Sequence, residues 1–78
     1  VTELERELDR LRVADAHIAR RRNLIERQLR TVHELARDGH DTGSAIRLLQ
    51  ELRRSLEAMV EHRAVIQETI EMLRLAER

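Results

Sequence analysis

Four histidines, His17, His33, His40 and His62, are the residues of this chain best able to bind a metal ion or move a proton. A metal site on a helix needs His or Glu three or four residues apart, so that the donors share one face. No two of these histidines have that spacing, and Arg30 and Met59 stand three residues before His33 and His62. With no Cys in the chain, a thiolate site is also excluded. The stretch from Asp38 begins like a calcium loop, with Gly43 at its sixth position. Its third position is His40, its fifth Thr42, and Leu49 stands where the bidentate Glu belongs, which defeats calcium binding. No metal or other cofactor is expected.

His40 and Asp41 could act as a base and its orienting group. Covalent catalysis would need a nucleophile on a rigid element and a pocket to hold a substrate. Neither is legible here, so the expectation is a protein that is not an enzyme. A second charged constellation is Asp15, Arg22 and Arg63, with His17, Arg21 and His62 beside it. These residues fall on or next to stretches of helical apolar periodicity, where an unpaired charge is costly. One reading is a polar belt inside the core that fixes helix register and oligomer state. Another is an anion site in which Arg22, Arg63 and His62 converge on a carboxylate or phosphate. A third lets the long side chains reach out to solvent. Arg20-Arg21-Arg22 is the single basic run, and Arg20, Arg21 and Arg27 would form the nucleic-acid face if one existed. Without Phe, Tyr or Trp to stack on bases, nucleic acid is not the expected partner.

The elements that must carry these residues are two long helices. Apolar residues recur at spacings of three and four through Leu4, Leu8, Leu11, Ile18, Ile25, Leu29, Val32 and Ala36. They recur again through Ala45, Leu49, Leu52, Leu56, Met59, Ile66, Ile70 and Leu73. Both runs are heptad-like seams suited to a left-handed supercoil. Between them, Gly39 is placed to end the first helix in a left-handed conformation, and Asp41 or Thr42 to cap the second. The expected layout is a first helix over about 2–37, a turn at 38–43 and a second helix over about 44–77, in one unit spanning 1–78. So short a connection makes the helices antiparallel neighbours. Pairing outward from the turn sets Ala36 against Ala45, Val32 against Leu49, Leu29 against Leu52 and Ile25 against Leu56. Farther out, Arg22 is set against Met59, Ile18 against Arg63, Asp15 against Ile66, Leu11 against Ile70 and Leu8 against Leu73.

A chain of 78 residues without aromatics or disulfides has few ways to stabilise itself. Further apolar residues flank the seams: Ala14, Leu24, Leu35, Ile46, Leu48, Val60 and Ala76, with a patch of Val65, Met72 and Leu75 near the end. So wide a stripe belongs to a bundle. The expected fold is therefore all-α, an antiparallel two-helix coiled-coil hairpin that dimerises into a four-helix bundle. The expected partner is a second copy of the chain, with another protein as a further candidate. The formal net charge is zero, all fifteen basic residues being Arg and matched by fifteen acidic ones, so nothing draws the chain to nucleic acid or an anionic membrane. No apolar run approaches the length of a membrane span and no signal-peptide pattern is present, so a cytoplasmic protein is expected. The chain opens at Val1 already inside the amphipathic pattern, which leaves room for a segment before it.

The stretch His17-Ile18, Ile25 and Gln28, the turn Asp38-Gly39-His40-Asp41-Thr42, and then Ala45, Leu48-Leu49, Leu52, Ser55-Leu56 and His62-Arg63 resembles a group of small uncharacterised proteobacterial proteins. The resemblance covers about residues 14–70 and is most specific at the turn. It implies a helical hairpin from a bacterium and carries over no catalytic residue. In shape the chain also resembles the repressor-of-primer type of hairpin, which dimerises into a four-helix bundle and binds RNA. The aromatic and Lys-rich binding face of that family has no counterpart here. The expected function is a self-associating helical module, a scaffold or regulator acting through protein–protein contact. The alternatives are a small nucleic-acid-binding regulator and a ligand or metal site in the polar belt.

Overall fold

The computed structural model describes residues 1–77; Arg78, the last residue of the expected unit, lies outside them. Helix α1 spans Glu3–Arg37 and α2 spans Gly43–Ala76, and the two pack on each other along their length. The molecule is a rod of 61 × 15 × 14 Å. Thr2 starts α1 by accepting a bond from the Glu5 backbone N–H at 3.1 Å, while its hydroxyl donates to the Glu5 carboxylate at 3.2 Å. Only the first is a capping-box bond, because the Glu5 carboxylate meets the Thr2 hydroxyl and not its backbone N–H; Glu3 and Glu5 add negative charge where the helix dipole favours it.

The turn closes α1 through backbone alone. His40 N–H donates to the Leu35 carbonyl at 2.9 Å and Gly39 N–H to the Ala36 carbonyl at 3.2 Å, the two bonds of a Schellman motif. Gly39 makes this possible with φ of 75°, a left-handed conformation that costs a side chain roughly 1–2 kcal/mol. A Cβ there would meet nothing within 4 Å, so the penalty is in the backbone. Gly39→Ala is expected to lower stability by about 1 kcal/mol, read as a lower urea midpoint at unchanged slope. An unchanged midpoint would mean that the turn relaxes into another conformation.

At the start of α2 the Asp41 carboxylate accepts from Gly43 N–H at 2.9 Å. Thr42 occupies the N-cap position, but its side chain makes no capping bond there. Its carbonyl accepts the first intrahelical bond, from Ile46 N–H at 2.9 Å.

The inner face of α2 runs Ala45, Leu49, Leu52, Leu56, Met59, Arg63, Ile66, Ile70 and Leu73, all buried or half-buried, as its apolar periodicity requires. On α1 the inner face is Leu4, Glu7, Leu11, Ala14, Ile18, Arg21, Ile25, Gln28, Val32 and Leu35. That departs from the seam expected for the first helix. Leu8, Asp15, Arg22, Leu29 and Ala36 lie one residue past the inner positions and are exposed. Every second inner position is thus occupied by its neighbour, a rotation that brings Glu7, Arg21 and Gln28 inward.

Two of the expected cross-helix pairs survive this rotation. Ile18 lines one hollow with Arg63, and Leu11 another with Ile70. Two pairs shift by one residue. Met59 shares a hollow with Arg21 in place of Arg22, and Ile66 one with Ala14 in place of Asp15. Near the turn, the Gln28 side chain donates to the Ala45 carbonyl at 2.9 Å and ties the helices together.

Candidate functional site

The constellation expected as one polar belt is divided by the contact between α1 and α2 into two groups on opposite sides of the rod. On the first side Asp15, Arg22 and Arg63 border one open hollow together with Ile18, Ala19 and Val60. Asp15 accepts a bond from the Arg63 Nε, and the Arg63 Nη1 donates to the Gln67 side chain at 2.9 Å. Arg63 springs from an inner position of α2, yet its side chain remains 32% exposed and that of Asp15 51%. The pair is therefore a surface pair, of a kind worth about 0.2–1 kcal/mol, and it steadies the helix contact without supplying much of its energy. Arg22 stands on the exposed side of the same hollow, not in the core. The guanidinium groups of Arg22 and Arg63 thus share a solvent-open hollow, whose one carboxylate already accepts from Arg63.

On the opposite side, His17 and His62 border a hollow with Asp9, Arg10, Val13, Ala14 and Ile66. Next along the rod, His17, Arg20 and Arg21 border another with Leu24 and Met59. His62 is therefore apart from Arg22 and Arg63, and the three do not converge on one ligand. Among the described residues, no three His, Asp or Glu side chains come together as a metal ion would require. Arg20 is exposed and Arg21 half-buried on this side, and the exposed Arg27 lies two turns farther along α1. His40 lies exposed in the turn, and what it contributes there is its backbone N–H.

Three polar residues inside the contact escaped the reading by periodicity. Glu7 is buried, 7% exposed, and its carboxylate accepts from the Arg10 guanidinium one turn on. Arg21 and Gln28 occupy equivalent positions in later heptads. Leu4, Leu11, Ile18, Ile25 and Val32 recur every seven residues, which leaves the inner position between them at either the third or the fourth residue on, so the repeat alone does not mark these three.

The rod leaves apolar surface exposed along its length. Leu48 is 45% exposed, Val65 58% and Met72 61%, and among the described residues no apolar side chain is fully enclosed. Neither helix is long and apolar enough to cross a membrane. Comparison with protein-family models, curated sequences and solved structures yields no match, and function is read from this geometry alone.

Proposed function

We propose that this chain is a helical association module, working by binding rather than catalysis, whose first partner is a second copy of itself. The observation that carries this reading is its surface. A compact protein of 9.2 kDa exposes about 4,900 Å² by the scaling of folded monomers, whereas this one exposes 6022 Å². The surplus of roughly 1,100 Å² is comparable to the ~800 Å² each partner covers in a standard stable interface. Among the described residues, only Ile18, Leu49, Ile66 and Ile70 are buried apolar side chains, a small core for two helices of 35 and 34 residues. Pairing two hairpins into a four-helix bundle covers apolar surface that a single hairpin leaves exposed. In the cell such a module would serve as a scaffold or as a regulator that brings attached or bound proteins together.

Light scattering on a sizing column, over a hundredfold range of concentration, tests the reading. A mass of twice 9.2 kDa that persists on dilution to micromolar chain is the expected result. A folded chain of single mass at every concentration would overturn self-association.

A further inference from the structure

The two helices differ in the surface they leave uncovered. In α2 each inner residue is preceded by one that lies about 100° round the helix. Leu48, Ala58, His62, Val65, Met72 and Ala76 form this second stripe, and all are exposed. Ser44, Ser55 and Thr69 fill its gaps, leaving Glu51 as its one acidic residue. On the other side of the inner face, Arg53, Glu57, Glu71 and Arg74 interrupt the exposed Ile46 and Val60. A nearly uncharged stripe with the spacing of a helix seam, set at about a right angle to the first seam, is what a helix in a four-helix bundle presents to its second neighbour.

Charge along the stripe's outer edge selects the occupant. Arg47 and Arg54 lie on that edge in the first half of α2, Glu61 and Glu68 in the second half. Such an edge is complementary to its own reverse. An identical helix laid antiparallel sets Arg54 opposite Glu61 and Arg47 opposite Glu68, twice over, and brings Ala58 near the crossing point, where a small side chain permits close approach. A parallel copy, related by an axis along the helices, would leave these edges on opposite sides of the contact, where their charges do not meet.

We propose that this stripe is where a second copy docks, α2 against α2, antiparallel about a two-fold axis near Ala58. The proposal rests on the self-association reading and adds its face and direction. On the same side of the rod, α1 carries Arg6, Arg10, Arg20 and Arg27, exposed along its edge. With the two seams of α2 slightly more than a right angle apart, the α1 helices splay, and these arginines stay in water at the mouth of the bundle.

Val65→Glu and Val60→Glu place the same charge on opposite sides of α2. Sedimentation equilibrium of the two variants, with helicity followed by circular dichroism, separates the faces. Val65→Glu is expected to raise the dimer dissociation constant by about 100-fold, and Val60→Glu by less than about threefold. Single cysteines at Ala58 and at Val60, introduced into a chain that has none, supply a second readout that survives any loss of folding in the charged variants. Under mild oxidation A58C should form a covalent dimer and V60C should stay uncrosslinked, because a disulfide needs Cα atoms within about 7 Å. A dimer of the unaltered chain that is weakened by Val60→Glu alone, or that crosslinks at V60C and not at A58C, would overturn the assigned face while leaving self-association intact. An unaltered chain of single mass at all concentrations would overturn both.

Discussion

Ile66→Ala is expected to cost about 2–4 kcal/mol and to leave much of the chain unfolded at 37 °C. Removing a buried isoleucine to its Cβ loses transfer free energy and leaves a cavity that the surroundings fill only in part. Ile66 is 5% exposed and borders Ala14 across the helix contact, where no larger side chain stands ready to close the gap. The loss is large against the 5–15 kcal/mol of an ordinary domain, and a hairpin with so short a roll of buried residues belongs at the low end of that range. Thermal melting by circular dichroism at fixed chain concentration measures it. Val60→Ala is the matched control, since Val60 is 42% exposed and lies outside both stripes of α2. Its expected change is within about 0.5 kcal/mol. Equal losses at the two positions would mean that the inner face of α2 is not the one described.

The opposite effect is expected from the polar residues inside α1. Replacing Glu7, Arg21 and Gln28 together by Leu should raise stability by about 2–4 kcal/mol, seen as a higher melting temperature at the same concentration. Each leucine adds apolar area to a contact short of it, at ~25 cal/mol per Å². The Glu7 carboxylate is buried with a single partner, Arg10, and exchanging buried charge for packed apolar groups is commonly neutral or stabilising. Against this stands the lost bond from Gln28 to the Ala45 carbonyl, worth about 1 kcal/mol. A melting temperature that stays the same or falls would show that these polar groups hold the contact together better than apolar packing does. The triple variant should also be less selective in its pairing, because a uniformly apolar seam accepts shifted registers that a polar position rejects.

The two helices differed in how far their sequence could be read. In α2 every inner position from Leu49 to Leu73 follows from the apolar periodicity, with Arg63 the one polar residue among them, because its neighbours at the next positions are charged or small. In α1 the choice between two adjacent stripes was nearly balanced. Turning the helix by one residue gains Ala14 over Asp15 and Leu35 over Ala36, and gives up Leu8 for Glu7 and Leu29 for Gln28. Residue type cannot separate two options so close in apolar content. The folded molecule adopts the option that lets Gln28 reach Ala45 and lets Asp15 meet Arg63 from the flank. The Gln28 bond is invisible to local periodicity, whereas the Asp15–Arg63 pair is expected once the hairpin register sets the two about one layer apart. The cap at Thr2, with Glu5 three residues on, went unread beside the apolar pattern, while the end of α1 was legible in Gly39.

That turn also sets the order in which the structure can form. With Gly39 closing α1 and Asp41 opening α2, contacts beside the turn close the shortest loops and carry the least closure entropy, and each later layer toward the termini must wait for the one before it. The molecule therefore assembles as a zipper. Packing near Val32 and Leu49 is made on the way to the barrier, and packing near Leu4 and Leu73 after it. Substitutions at the turn end will act on the rate of folding, and those at the open end on the rate at which the hairpin comes apart.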